Sequence, residues 1–164
     1  MTEKALVVID IQNDMTKNYK EILGNINQSI DWAVKNKIPV VYIRHYNLST
    51  GTRTFKPNTV GSELATGLNI VSNHVFEKSK SNALTSEEFV DFINKNGISE
   101  FFITGADAFI CVKSTTFNMR KAGYEVNVLS DCITSYDKRK IDEMLKYYEN
   151  KGCKIMKLSE LIDA

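Results

Sequence analysis

The chain has 164 residues, of which 43% are apolar and 25% are charged, so a disordered chain is excluded and one compact domain spanning residues 1–164 is expected. Twenty-one Lys and Arg against twenty Asp and Glu leave a formal net charge of +1. No global field therefore favours nucleic acid or an anionic membrane, and the expected partner is a small-molecule substrate.

Six apolar runs predict the strands of a sheet. The first, at residues 5–9, is rich in Val and Ile and typical of a strand buried on both faces of a parallel sheet. It is too short for a signal-peptide core or a membrane span, which indicates a cytoplasmic protein. The other runs are residues 39–43, 74–76, 101–103, 126–129 and 153–156.

Apolar residues at spacings of three and four predict amphipathic helices between these runs. The longest stripe extends from Tyr19 to Val34, shorter ones cover 84–93 and 141–148, and a further helix is expected to begin at Cys111 with Phe117 on its core face. This alternation predicts an α/β fold of three layers, α/β/α, with a mostly parallel, six-stranded, Rossmann-like sheet. Glycine follows three of the helical patterns, at positions where helices should end: Gly97, Gly123 and Gly152.

Charged residues stand at the carboxyl ends of several predicted strands. Asp10 ends the first strand, Arg44 and His45 end the second, and Lys78 follows the third, while the segment 105–111 follows the fourth. In parallel sheets covered by helices, ligands bind beyond these strand ends. The sequence therefore predicts a functional site at this edge.

Cys111 is a candidate nucleophile at that site. A helix N-terminus and a neighbouring cation would lower the pKa of its thiol, and free backbone N–H groups there would hold an oxyanion. By itself a cysteine in an apolar stretch also fits a small buried hydrophobe. Asp10 also fits a helix N-cap, and Lys78 a solvated loop charge. Their convergence on one edge favours a nucleophile with a base and a cation.

The three cysteines, Cys111, Cys132 and Cys153, do not suggest a disulfide framework. They are odd in number and widely spaced, with neither a CxxC pair nor metal-ligand spacing. Under the reducing conditions of the cytoplasm, a thiol nucleophile would stay available.

Three segments of the chain resemble the isochorismatase-like cysteine hydrolases, a family that includes nicotinamidases and N-carbamoylsarcosine amidases. They are ALVVIDIQND, FEKSKSNAL and ITGADAFICVKSTTFNMRKAGYEVNVLSDCITS. The likeness covers nearly the whole chain and implies catalytic roles for Asp10, Lys78 and Cys111. It also implies hydrolysis of a small amide or carbamoyl-type C–N bond through a covalent acyl-enzyme, and a homo-oligomer, either a dimer or a larger assembly.

The same resemblance implies details of the site. A non-proline cis peptide is expected between Ala106 and Asp107, and the backbone N–H groups of Asp107 and Cys111 are the expected oxyanion donors. Four residues are possible members of the substrate pocket: Gln12, Met15, Arg44 and His45.

The chain departs from the metal-dependent members of that family. These carry an Asp-x-His pair after the second strand, whereas YIRHYNLSTGTRTF contains none and the only histidines are His45 and His74. We therefore expect no metal, no cofactor and no nicotinamidase activity, since zinc sites usually need three protein ligands.

Two other functions stay open from the sequence. A family member of this kind could be a thiol redox sensor or a small-ligand binding protein instead of a hydrolase. A flavodoxin-like or receiver-type domain would also place an acidic residue after the first strand, but the chain has no Gly-rich phosphate loop and fold analogy alone says little about function.

Overall fold

The computed structural model describes residues 3–15 and 19–163, so the ends of the expected 1–164 domain lie outside the described ranges. The strands are β1 (Glu3–Ile9), β2 (Val40–His45), β3 (Val75–Lys78), β4 (Ile98–Gly105), β5 (Glu125–Ile133) and β6 (Lys154–Met156). The helices are α1 (Lys20–Lys35), α2 (Glu87–Asn96), α3 (Cys111–Lys121), α4 (Ile141–Asn150) and α5 (Leu158–Ile162). None of the helices within the described ranges has both the length and the apolar character that a membrane crossing demands.

The six strands form one sheet in the order β3-β2-β1-β4-β5-β6, and every neighbouring pair is parallel. This confirms the predicted parallel α/β sheet. The chain builds outward from β1 to β3 and then returns to the other side of β1 at β4. The carboxyl ends of β1 and β4 therefore form a switch point, where a crevice for ligands opens in such sheets.

Two apolar cores lie on opposite faces of the sheet. Ala5, Val7 and Ile9 belong to one core, and Leu6 and Val8 to the other, because successive side chains of a strand point to opposite faces. Helices α2, α3 and α4 complete the first core, and α1 and α5 complete the second. This arrangement is the predicted three-layer fold.

The helices differ from their predictions in three details. No periodicity indicated α5, because its five residues are too few to show one. Val34 is 52% exposed, since the buried stripe of α1 passes through Ser29 and Ala33. Phe117 is only half-buried, and the Lys151 ammonium lies 5.3 Å from its ring centroid. The core face of α3 is instead formed by residues that include Val112, Thr115, Thr116 and Met119.

Gly105, the last residue of β4, lies against the backbone of β1. Its φ is +119°, and a Cβ at this position would lie 2.2 Å from the Ile9 carbonyl oxygen and 2.6 Å from the Ile9 nitrogen. Neither the backbone conformation nor the available space admits a side chain. Only glycine therefore lets β4 run alongside β1 into the switch point.

Gly105→Ala is expected to lower the free energy of unfolding by at least about 2 kcal/mol, through the strained φ and the clash with β1. Urea denaturation measures the change. Gly24→Ala is the matched control, because Gly24 lies exposed within α1 with nothing within 4 Å of an added Cβ. It should raise stability by about 0.5–1 kcal/mol. Equal effects of the two substitutions would contradict the close approach at Gly105.

Candidate active site

Asp10 leaves β1 in a tight bend. Its φ of +56° lies in the left-handed region, which aspartate adopts more readily than most residues. Its backbone N–H donates to the Ile43 carbonyl of β2 over 3.0 Å. The bend ends the strand and leaves a carboxylate only 4% exposed at the switch point, as the sequence predicted for a residue after the first strand.

Lys78 ends β3 with a side chain that is entirely buried. Its Nζ lies 3.1 Å from Asp10 Oδ2, 3.0 Å from His45 Nδ1 and 3.4 Å from Cys111 Sγ. An ammonium has three N–H donors, and here each has a partner. Lys78 is therefore no solvated loop charge, because it joins the carboxyl ends of β1 and β2 to the start of α3.

The second oxygen of Asp10 has no such partner. Oδ1 is buried and finds no hydrogen-bond partner within the described residues, while Oδ2 accepts from Lys78. An unpaired buried carboxylate oxygen is costly. This oxygen is free to accept a proton from a thiol, a substrate or a water molecule.

Cys111 is the first residue of α3 and is 8% exposed. Burial and the Asp10 carboxylate raise the pKa of its thiol to about 12, against the opposing effect of Lys78. The expectation of a lowered pKa is therefore wrong, because it counted the cation and the helix N-terminus but not the burial of the sulfur and the neighbouring anion. At neutral pH, Cys111 is a thiol that still carries its proton.

The segment between β4 and α3 contains a cis peptide at Ala106–Asp107. The Asp107 carboxylate accepts hydrogen bonds from Phe109 N at 2.8 Å, Ser135 Oγ at 2.8 Å and Tyr136 N at 2.7 Å. It thereby links the segment to the loop after β5. The segment itself is held in one arrangement by contacts from two sides.

Backbone contacts hold the same segment further. Ala108 N donates to the Thr134 carbonyl over 2.8 Å, and the buried Tyr148 hydroxyl of α4 donates to the Ala108 carbonyl. The Asp107 and Cys111 N–H groups have no acceptor among residues 3–15 and 19–163. Both expected oxyanion donors are thus without an acceptor inside the described part of the chain, and their role stays a prediction.

A cavity of about 840 Å³ opens over Asp10 and Cys111. This volume suits a small molecule. Apolar and aromatic side chains form part of its wall: Met15, Phe55, Ile110 and Tyr136. Polar side chains form most of the rest: Asp14, Asn47, Ser49, Thr54, Ser79, Lys80, Ser81 and Asp107.

Two of the four expected pocket residues line this cavity, Met15 and His45. Gln12 does not, because it is fully buried and its amide donates to the carbonyls of His45 at 3.0 Å and Ser62 at 2.8 Å. Arg44 does not line it either, since its Nε donates to the Ser62 carbonyl at 3.2 Å. Both side chains brace the loop after β2 instead of contacting the cavity.

Several wall residues were not recognised in the sequence. Ile110 and Tyr136 are 56% and 75% exposed, and Phe55 lies in a loop with no periodic pattern. Tyr136 follows the carboxyl end of β5, so the rule that located Asp10 and Lys78 would have indicated it. Nothing in the sequence distinguishes the other two.

The donor set does not fit a resident metal ion. Asp10, His45 and Cys111 offer an oxygen, a nitrogen and a sulfur within 4.8 Å of one another, which are ligand types that zinc accepts. The Lys78 ammonium, however, lies within 3.4 Å of an atom of each and already supplies the cation. His74 is occupied elsewhere, with its ring centroid 4.6 Å from that of Phe92.

Comparison with known proteins identifies the family to which the chain is similar. A family model described as isochorismatase domain matches residues 4–160. Isochorismatase family protein 2A of Dictyostelium discoideum is 26% identical over 153 residues, which cover 90% of this chain and 74% of that protein.

Solved structures share the fold. An isochorismatase-like hydrolase from Alkaliphilus metalliredigens has a TM-score of 0.89 at 18% identity, covering 99% of this chain and 98% of its own. Pyrazinamidase of Pyrococcus horikoshii, solved in complex with zinc, has a TM-score of 0.86 at 20% identity, covering 94% and 99%. N-carbamoylsarcosine amidase from Thermoplasma acidophilum has a TM-score of 0.82 at 21% identity, covering 96% and 97%.

Asp10→Asn and Lys78→Met are expected to move the pKa of Cys111 in opposite directions. Asp10 raises this pKa and Lys78 lowers it, so Asp10→Asn should bring it below about 12 and Lys78→Met should raise it further. The rate of iodoacetamide alkylation of Cys111 against pH, resolved by peptide mass spectrometry, measures the shift.

Asp14→Asn is the control for charge removal, because Asp14 lines the cavity but is not among the groups that shift the pKa of Cys111. Its alkylation profile should match that of the unmodified protein. Shifts of the same sign in Asp10→Asn and Lys78→Met would contradict the opposing effects of the two charges.

Proposed function

This chain belongs to the isochorismatase domain family of hydrolases, and from that premise we propose that it hydrolyses the C–N bond of a small amide or carbamoyl compound through an acyl-enzyme on Cys111. One observation carries the proposal: Lys78 Nζ contacts both Asp10 Oδ2 and Cys111 Sγ. Asp10 and Cys111 line the cavity, and their shared contact with a buried cation supports the roles of base and nucleophile. Two neighbours of the same fold are named as amidases, a pyrazinamidase and an N-carbamoylsarcosine amidase.

Asp10 is the base of the first step. Its Oδ1 accepts the thiol proton while the sulfur lone pair forms a bond to the substrate carbonyl carbon, and the carbonyl π electrons move to the oxygen. Because Cys111 rests as a thiol, the proton moves to Asp10 only when a carbonyl carbon is present to be attacked. The backbone N–H groups of Asp107 and Cys111 donate to the resulting oxyanion, and such donors are typically worth about 2.7–4 kcal/mol each.

The second step expels the amine. The oxyanion electrons re-form the carbonyl, the C–N bond breaks, and the nitrogen takes the proton from Asp10, leaving a thioester on Cys111. Water then attacks this thioester and gives a proton to Asp10. Collapse of the second intermediate breaks the C–S bond, releases the acid and returns the proton from Asp10 to the sulfur.

Lys78 has an electrostatic role throughout. Its ammonium holds Asp10 through Oδ2 and leaves Oδ1 for proton transfer. It also stabilises the negative charge that passes between the sulfur and the carboxylate as the reaction proceeds. Because the Lys78 side chain is fully buried, its charge acts with less screening than it would in water.

Cys111→Ala is expected to abolish turnover of any substrate found among primary amides and carbamoyl compounds, because the nucleophile is lost. Mass spectrometry of the unmodified protein during turnover should show an acyl adduct on the peptide that contains Cys111, together with release of ammonia or amine. Cys132→Ala and Cys153→Ala are the controls, since these thiols are buried and do not line the cavity.

Equal loss of activity in all three cysteine variants would indicate a folding role instead of a nucleophile. A stable sulfenic acid on Cys111 with no turnover of the panel would indicate a thiol redox sensor. Saturable binding without an adduct or product would indicate a small-ligand binding protein.

Asp10→Asn is expected to reduce kcat/KM by about 10²–10⁴-fold, because the general base is lost. Lys78→Met should reduce it by at least about 10²-fold, because the charge that stabilises the reaction is lost. Activity therefore falls in both variants although the pKa of Cys111 moves in opposite directions. Higher activity in Asp10→Asn would show that thiolate population alone limits the rate.

A further inference from the structure

We propose that His45 is a positioning residue for the reaction: its Nδ1 accepts the third N–H of Lys78 and so fixes the ammonium between Asp10 and Cys111. The inference deepens the proposed function and rests on it. The contact between Lys78 Nζ and His45 Nδ1 measures 3.0 Å, the shortest of the three that the ammonium makes.

Lys78 is buried away from solvent. Its side chain has no exposed surface, so water does not satisfy its protons, and a buried ammonium proton without an acceptor carries a large penalty. Asp10 and Cys111 accept two of the three N–H groups. His45 is the neutral acceptor that completes the set without adding a second negative charge.

His45 itself is held rigidly enough to act in this way. The Gln12 side chain clamps its backbone from both sides, accepting from His45 N at 2.8 Å and donating to His45 O at 3.0 Å. The ring meets Phe55 edge to face, with the centroids 5.8 Å apart. The fully buried Gln12, which does not line the cavity, therefore fixes the acceptor that fixes Lys78.

The contact requires one particular form of the ring. Nδ1 can accept only when it is unprotonated, so the proton of the neutral imidazole resides on Nε2. Burial and the Lys78 charge lower the pKa of His45, and Asp10 opposes them. Protonation would remove the acceptor and bring a second cation to 3.0 Å from the ammonium.

Three kinds of group surround the ring. The first kind is the charged groups at the strand ends, which are Asp10 after β1 and Lys78 of β3. The second is the Cys111 thiol at the start of α3. The third kind is the other charged residues that line the cavity, which are Asp14, Lys80 and Asp107. The carboxylate of Asp107 is occupied by three hydrogen bonds, so Asp10 and Lys78 dominate the electrostatics of His45.

His45→Leu and His45→Asn test the role of the acceptor. Leucine removes it at similar bulk, so the alkylation profile of Cys111 should shift to higher pH and kcat should fall by about 10–100-fold, with KM changing less. Asparagine supplies an oxygen near the place of Nδ1 and should restore both values to within a few-fold of the unmodified protein. Circular dichroism confirms that each variant is folded.

A second measurement requires neither a substrate nor a histidine variant. The chain has only two histidines, so ¹⁵N-resolved NMR can follow each ring through a pH titration. The spectrum of His45 should show the Nε2–H tautomer, and Lys78→Met should raise its pKa, because the neighbouring cation is removed. His74, packed against Phe92, is the internal reference, and its ring signals at a given pH should be the same in both proteins.

Two results would overturn the role of His45. One is an alkylation profile of His45→Leu that superimposes on that of the unmodified protein. The other is a His45 titration that Lys78→Met leaves unchanged. If both experiments give the expected shifts while no amide or carbamoyl compound forms an adduct, the positioning role stands and the proposed hydrolysis fails instead.

Discussion

A buried ammonium needs an acceptor for each of its protons, and Lys78 finds them on three separate parts of the chain: Asp10 after β1, His45 at the end of β2 and Cys111 at the start of α3. No one of these contacts is sufficient, because any one alone would leave two protons of a fully buried ammonium without an acceptor. The need for three acceptors therefore holds the carboxyl ends of β1 and β2 and the start of α3 around the end of β3. The positions of the Asp10 carboxylate and the Cys111 sulfur are fixed by their contacts with the same ammonium.

The sheet topology makes this convergence possible. Because β1 lies between β2 and β4, its carboxyl end is next to both the strand that carries His45 and the strand that leads to Cys111. Gly105 lets β4 approach β1 closely, and the Asp107 carboxylate then fixes the segment that leads into α3. The fold thus supplies rigid element ends, which hold a small constellation more accurately than free loops would.

Much of the fold and several residues of the candidate site were predictable from the sequence, and the features that were not predictable have physical causes. Apolar runs located all six strands, most clearly those inside the sheet, which are buried on both faces. The edge strands β3 and β6 are only partly buried, and their apolar runs are short. The ends of the strands located Asp10 and Lys78. Contact between His45 and Lys78 was not predictable, since it depends on the rotamers of two side chains from different strands. The position of a residue after a strand likewise does not show that the Gln12 side chain binds the backbone while Met15 lines the cavity. The neighbouring charges in the sequence do not show how deeply the Cys111 sulfur is buried.

The burial of Cys111 bears on which chemistry the site performs. A redox-sensing thiol reacts as a thiolate and needs an exposed, electropositive setting, whereas this sulfur is 8% exposed and its pKa is raised by burial and Asp10. The same conditions are compatible with the proposed hydrolysis, in which the unpaired Oδ1 of Asp10 would take the proton as the carbon–sulfur bond forms. A thiol that stays protonated at rest resists adventitious oxidation. The burial of the sulfur and the neighbouring Asp10 carboxylate thus support the proposed substrate-dependent hydrolysis over sensing.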